Sequence, residues 1–399
     1  MTSPLTTRTS RPSMGAPNAA TNGAGSRSQA QAKPAYRVPL MAEIEKTPWN
    51  GFNAVSLFSG CGGSSLGYRM AGFRVLWANE FVPAAQECYK LNHPGSILDT
   101  RDIRTVQPEE ILKTTGIERG GLDLLDGSPP CASFSAAGKR SAGWGQVKAY
   151  SDTKQRTDDL FFEYARLLEG LQPKVFVAEN VSGLVKGAAK GYFLMILSRL
   201  KECGYRVQAK VLDAQWLGVP QMRARLIFVG VREDLGREPV FPKPLAYRYS
   251  VREAIPCIGL RPKSYASNEW IPGDSPAAAI QASGQYFVER ETQPTAAQRD
   301  AWHRATAGGS GFDYSWSKKK TDEQAPSLTV GSKTDLFHPA ACRKFTIEEL
   351  KRICAFPDDF QLTGTYAQRW ERLGRAVPPM MMEKIATALR DGILCRLPK

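Results

Sequence analysis

Short runs of apolar and β-branched residues recur from Asn53 onward, at Ala54–Phe58, Arg74–Asn79, Leu122–Asp126, Val175–Ala178, Val207–Leu212 and Leu226–Val231, with helical patterns between them. Strands alternating with helices predict an α/β fold, a mostly parallel sheet covered on both faces. Ligands of such a sheet sit beyond the carboxyl ends of its strands, so residues directly after a run are the first candidates for chemistry. Between about 233 and 341 the alternation fades. This stretch is rich in Pro and Gly, contains Gly308-Gly309-Ser310-Gly311, and interleaves aromatics such as Trp270, Trp302 and Trp316 with basic residues including Lys318-Lys319-Lys320. Helical texture returns at Glu348–Ile353 and at Met381–Leu389.

The pattern divides the chain into four expected parts. Residues 1–46 are rich in Ser, Thr, Ala, Gly and Pro, carry Arg8, Arg11, Arg27, Lys33 and Arg37, and have no acid before Glu43. Such a composition buries too little apolar surface to offset its ordering entropy and reads as a disordered basic tail. Residues 47–232 form the expected α/β domain, 233–341 a smaller irregular module, and 342–399 a segment returning to the first domain.

Charge and cysteine usage narrow the function classes. A formal net charge of +14 and a pI near 9.4 favour a polyanionic partner. The eight cysteines are scattered with no CxxC pair, and three histidines accompany them, so no metal site is expected. The unpaired spacing and the lack of any long apolar stretch or secretory h-region read as a cytoplasmic protein without membrane contact.

Three segments carry candidate chemistry. The first run ends in Phe58-Ser59-Gly60-Cys61-Gly62-Gly63, followed by a helical stretch from Ser64. Glycines at a strand-to-helix turn let the backbone approach a ligand closely, and Glu80, about twenty residues on, closes the second run, where an acid can hold ribose hydroxyls. This implies an adenosine-containing cofactor and leaves NAD and S-adenosylmethionine equally open. After Leu122–Leu125 comes Gly127-Ser128-Pro129-Pro130-Cys131, in which two prolines stiffen a turn and present a cysteine, either an inert thiol or a nucleophile. The run Val175–Ala178 delivers Glu179-Asn180-Val181 to the same edge, where Glu179 is a candidate general acid.

These segments, with Gln221-Met222-Arg223-Ala224-Arg225, Arg343-Lys344-Phe345-Thr346, Phe356-Pro357-Asp358-Asp359-Phe360 and Gly374 with Ala376-Val377-Pro378-Pro379, resemble the ordered motifs of the cytosine-5 DNA methyltransferase family over roughly 54–389. The resemblance implies a Rossmann-like S-adenosylmethionine-dependent domain, a target recognition domain at 233–341, and a flipped cytosine attacked by Cys131. Glu179 would manage the proton at N3, Arg225 contact the base and Arg223 help to position it. For the cofactor it implies Phe58 on the adenine face, Glu80 on the ribose, Phe81 nearby, Asp102 and Ile103 at the adenine amino group, and Ser128, Pro130 and Leu160 along the remaining wall. Ser59, Gly60, Gly62, Gly63, Arg375, Ala376 and Val377 complete the expected cofactor set. Ser135, Lys139 and Arg140, in a glycine-bearing loop, and Thr329, in the recognition region, are expected at double-stranded DNA. A monomer, functionally paired with a restriction endonuclease, is the expected organisation.

One departure stands out. The family has Asn after the Gly that opens its C-terminal motif, whereas this chain has Gly374-Arg375-Ala376-Val377. A guanidinium there either extends to solvent or binds the methionine carboxylate, or else favours carboxy-S-adenosylmethionine as cofactor. A catalytically inactive DNA-binding paralogue, a transfer-RNA-directed relative and a nicotinamide oxidoreductase are the competing readings; retention of both Cys131 and Glu179 argues against the first, the absence of a Cys-Phe-Thr element in the recognition region against the second, and the third leaves Pro130-Cys131 and Glu179-Asn180 unexplained.

Overall fold

The computed structural model describes residues 33–130, 148–151, 153–155, 157, 159–255, 295–296, 325–326 and 343–398. The sheet is built from β1 (Asn53–Leu57), β2 (Arg74–Asn79), β3 (Ile97–Asp99), β4 (Leu124–Gly127), β7 (Val175–Val181), β8 (Tyr205–Asp213) and β10 (Ala224–Arg232). The short strands β5 (Lys148–Tyr150) with β6 (Thr153–Gln155), and β9 (Gln221–Met222) with β11 (Ala325–Pro326), form two small separate pairs. The strand order is β3-β2-β1-β4-β7-β10-β8. From β3 to β7 neighbours run parallel, and β10 is antiparallel to both β7 and β8. The expected α/β architecture with a mostly parallel sheet is therefore what the chain adopts.

Strict alternation of apolar side chains makes this sheet two-faced. Val55, Leu57, Leu125, Phe176 and Ala178 pack on one side against Phe161, Tyr164 and Leu168 of α5 (Leu160–Leu171) and Ile196 and Leu200 of α6 (Lys190–Glu202). Ala54, Leu124, Val175 and Val177 pack on the other against Tyr68 of α2 (Gly63–Met70) and Met381, Ile385 and Leu389 of α10 (Pro379–Gly392). A third cluster joins α8 (Ile347–Ile353) and α9 (Tyr366–Arg375), each opened by a threonine capping box, Thr346 with Glu349 and Thr365 with Gln368. The connections between these layers are α3 (Pro83–Asn92), α4 (Pro108–Thr115) and α7 (Val251–Ala254).

Two boundaries differ from expectation. The tail read as disordered to Lys46 contains a short helix, α1 (Met41–Ile44), with Met41 and Ile44 buried in the third cluster. The Tyr36 hydroxyl donates to Arg352 O at 2.7 Å and the Met41 amide to Asp359 Oδ1 at 2.8 Å, so a few apolar anchors outweigh the polar composition around them. Strand β7 also runs three residues past its apolar part. Glu179 and Asn180 pair in register with Ile227 and Leu226 of β10, and a hydrophobicity count stops at Ala178 because those strand residues are polar. Most of the expected recognition module lies outside the described residues.

Helix α2 and helix α10 meet closely because Gly67 has no side chain: a Cβ there would stand 2.6 Å from both Met382 Cβ and Pro379 O. Gly67→Ala is expected to destabilise the fold by about 2 kcal/mol despite the higher helix propensity of alanine, read as a lower urea midpoint at unchanged slope.

Candidate active site

The turn after β1 is shaped by backbone conformations that few residues adopt. Phe58 has φ 54°, Gly60 57° and Gly62 93°. A bulky residue at positive φ costs of order 1–3 kcal/mol and persists only where its surroundings fix it. Glu80 supplies part of that fixing: its carboxylate, buried at the end of β2, accepts from the Gly60 amide and the Val82 amide, both at 2.7 Å. Burial raises the Glu80 carboxyl above its ordinary value, and the two amides and the Arg372 charge pull the other way. At Gly62 a Cβ would stand 2.1 Å from His93 Nε2, and at Gly63 2.3 Å from Val377 O. These two glycines shape the turn from behind.

In front of the turn lies a cleft of about 820 Å³, its open mouth included. Of the residues expected to bind a cofactor, Phe58, Ser59, Gly60, Glu80, Phe81, Asp102, Ile103, Ser128, Pro130, Leu160, Arg375, Ala376 and Val377 all line it. Asp102 is held at the rim by the Arg104 amide at 3.0 Å and by the Arg104 guanidinium, which also pairs with Asp159. The wall supplied by α9 carries Arg372 beside Arg375. Glu371 braces both, accepting from Arg372 Nη2 at 2.9 Å and from Arg375 Nε at 2.8 Å, and their charges hold its carboxyl below the usual range against the effect of burial. Arg372 also donates to the Ser151 hydroxyl, while its Nε is buried with no partner among the described residues. Sequence reasoning missed Arg372, although its spacing of three from Arg375 puts both on one face of a helix.

The opposite edge of the cleft leads to the reactive candidates. Parallel pairing of β4 with β7 sets Gly127 beside Ala178, so the Ser128-Pro129-Pro130 turn leaves the sheet next to Glu179, which stays within β7. The Asn180 side-chain amide donates to Pro129 O at 3.2 Å and clamps that turn. Glu179 forms an ion pair with Arg225 on β10, Nε to Oε1 at 2.8 Å, with side chains only 10% and 15% exposed. Arg223 is fully buried and donates from Nη2 to Gly374 O at 2.9 Å and Ala376 O at 2.8 Å, so it ties the end of α9 to this edge. Burial, with the Arg225 charge beside it, lowers the Arg223 guanidinium to about 9. Cys131, Ser135, Lys139, Arg140 and Thr329 lie outside the described residues. Among the described residues no cluster of His, Cys, Asp and Glu could hold a metal, and no helix is long and apolar enough to cross a membrane.

A parallel α/β sheet with an acid-braced glycine turn at its carboxyl edge defines a class of proteins that bind an adenosine-containing cofactor. Comparison with known proteins identifies the family. The C-5 cytosine-specific DNA methylase family matches residues 52–391, and the chain belongs to it as a DNA cytosine-5 methyltransferase. Type II methyltransferase M1.HphI of Haemophilus parahaemolyticus is 32% identical over 337 residues, covering 84% of this chain and 86% of that protein. Type II methyltransferase M.NgoPII of Neisseria gonorrhoeae is 28% identical, covering 88% and 99%. Among solved structures, a prophage-encoded E. coli protein described as a DNA modification methyltransferase shares the fold, with a TM-score of 0.66 at 22% identity over 87% of this chain and all of that one.

His93, wedged behind the glycine turn and stacked on Tyr89 at 4.4 Å, is buried, and burial together with the Arg69 charge pushes its imidazole down to about 3. A folded-state value below the unfolded 6.5 favours the fold above pH 6.5, and that stability is lost as pH falls toward 3. Urea unfolding at pH 7, 6 and 5 should show a loss approaching about 1.4 kcal/mol per pH unit from this group, absent in His93→Phe.

Proposed function

We propose that this chain methylates C5 of cytosine within a specific sequence of double-stranded DNA, using S-adenosylmethionine and a transient bond between Cys131 and the ring. The observation that carries the reading is the Glu179–Arg225 ion pair beside the clamped Pro129-Pro130 turn that runs directly into Cys131. Cytosine C5 is a weak nucleophile. Addition of the Cys131 thiolate to C6, with a proton taken up from solvent through the Glu179 carboxylate and placed on N3, moves the ring electrons toward C5 and keeps the ring neutral. Arg225 fixes the Glu179 carboxyl and offers its remaining donors to the base edge, and Arg223 holds the adjoining wall. After alkylation a base removes the C5 proton and elimination returns the thiolate. These atoms are hidden in a duplex, so the target base leaves the stack to reach them. Ser135, Lys139 and Arg140 contact the backbone around the flipped base, and Thr329 belongs to the sequence-reading module.

The cleft fits the cofactor. Glu80 takes the ribose hydroxyls, Asp102 and Ile103 the adenine edge, Phe58 and Phe81 the adenine faces, and Ser59, Gly60, Ser128, Pro130, Leu160, Ala376 and Val377 the remaining surface. Arg372 Nε, without a partner among the described residues, and the Arg375 guanidinium stand at the α9 wall, where a ligand carboxylate is a complementary group beside Glu371. Bound S-adenosylmethionine supplies an electrophilic methyl group. Pairing with a restriction endonuclease, action as a monomer and a cytoplasmic site at the nucleoid belong to the same reading.

A second reading is favoured by the two guanidiniums side by side at that wall. Glu371 already accepts from both, and a cofactor with a second carboxylate on the transferred carbon, carboxy-S-adenosylmethionine, would add a further anion to that pair and leave 5-carboxymethylcytosine. Mass spectrometry of duplex DNA treated with both cofactors together separates the readings: 5-methylcytosine as the sole product removes the carboxymethyl one.

Bisulfite mapping of DNA from cells expressing the chain should show cytosine modification confined to one sequence context and lost in Cys131→Ala. Glu179→Gln should lower kcat roughly 100- to 10,000-fold with cofactor binding retained. Wild-type turnover in Cys131→Ala would overturn the covalent reading.

A further inference from the structure

Beneath the floor of the cleft sits a carboxyl group that the chemistry above does not use. Asp126, on β4, is 1% exposed. Its Oδ2 accepts from Ser56 Oγ of β1 at 2.9 Å and its Oδ1 from Tyr68 OH of α2 at 3.1 Å. Among the described residues no cation pairs with it. Ser59, which lines the cleft, lies 3.3 Å from Ser56 Oγ and donates to Ser56 O at 2.8 Å. Ser128, two residues after Asp126, lines the cleft as well. A hydroxyl relay therefore connects the buried carboxyl to the cofactor surface.

We infer that Asp126 is a positioning residue of the cofactor cleft: its carboxylate orients Ser56 and Ser59 and places a negative charge under a cationic cofactor, so that preference for a sulfonium is lost when the carboxyl takes up a proton. This rests on the cofactor reading above. While the carboxylate is charged, Ser56 donates to it, Ser59 donates to the Ser56 carbonyl, and the Ser59 lone pairs face the cleft. Once protonated, Asp126 donates to Ser56, whose own proton turns toward Ser59 and occupies one of those lone pairs. The negative charge beneath the cleft disappears with it.

The groups facing Asp126 set the pH at which this happens. Burial raises its carboxyl to about 7; Glu179 on β7 adds to the rise, and the Ser56 and Tyr68 hydroxyls and the Gly127 amide oppose it. Tyr89 of α3 and Tyr164 of α5 are the other titratable neighbours, and burial holds both phenols in their neutral form. The carboxylate is thus charged above about pH 7, and sulfonium preference falls as pH drops through that value.

Equilibrium binding of S-adenosylmethionine and S-adenosylhomocysteine to the full chain between pH 6 and 8.5 tests this, because the two share an amino-acid tail and differ in the sulfonium charge. The ratio of their affinities should shift toward S-adenosylmethionine by roughly fivefold on raising the pH. It should be flat in Asp126→Asn. Tyr68→Phe, which removes one donor to the carboxylate, should move the midpoint upward, whereas a merely structural role would weaken both ligands equally at every pH. A flat ratio in the wild type, an unchanged slope in Asp126→Asn or an unmoved midpoint in Tyr68→Phe overturns the inference and leaves the cofactor reading standing. Failure of both ligands to bind at any pH overturns the two together.

Discussion

The site depends on holding two opposite charges against each other at the edge of an otherwise apolar sheet. Glu179 and Arg225 sit on adjacent antiparallel strands, Arg225 opposite Val181 and therefore two residues out of register with Glu179, so their side chains share a face and meet diagonally across β7 and β10. Removing both from water is costly, and their attraction offsets that cost only where geometry is good. The register provides it. The same two strands continue inward as the most buried part of the sheet, which converts the stability of the core into the position of a carboxyl group.

The Pro129-Pro130 turn is the second part of this arrangement. Its carbonyl is gripped by Asn180, the strand neighbour of Glu179, so the acid and the turn that leads to Cys131 are fixed by consecutive residues of one strand. Arg223 completes the construction from the other side by bonding the two carbonyls that end α9. The cleft and the edge that carries Glu179 therefore share a wall. Glu80 and Asp102 make one end of the cleft acidic, and Arg372 and Arg375 make the α9 wall basic, an electrostatic gradient matched to a ligand with a polar nucleoside and an anionic tail.

Much of this was legible in the sequence because its strands are short, apolar and bounded by glycine and proline. The run Arg74–Asn79 coincides with β2, and residues directly after β1, β2 and β4 do line the cleft. Legibility failed where polar residues occupy regular structure or apolar ones hide in polar surroundings. Glu179 and Asn180 are strand residues whose burial is bought by partners on another strand, invisible to a count of local hydrophobicity. Met41 and Ile44 anchor a segment whose composition reads as tail. Asp126 closes the apolar run Leu122–Asp126, and only the folded chain brings Ser56, Tyr68 and Ser59 around it.

The most direct test of the account is a covalent trap: incubation of the chain with its cofactor and duplex DNA carrying 5-fluorocytosine at the modified position, followed by denaturing electrophoresis. Fluorine at C5 cannot leave as a proton does, so a stable protein–DNA species is predicted for the wild type and none for Cys131→Ala. A wild-type enzyme that modifies ordinary DNA yet forms no such species, or an adduct that survives in Cys131→Ala, would contradict it.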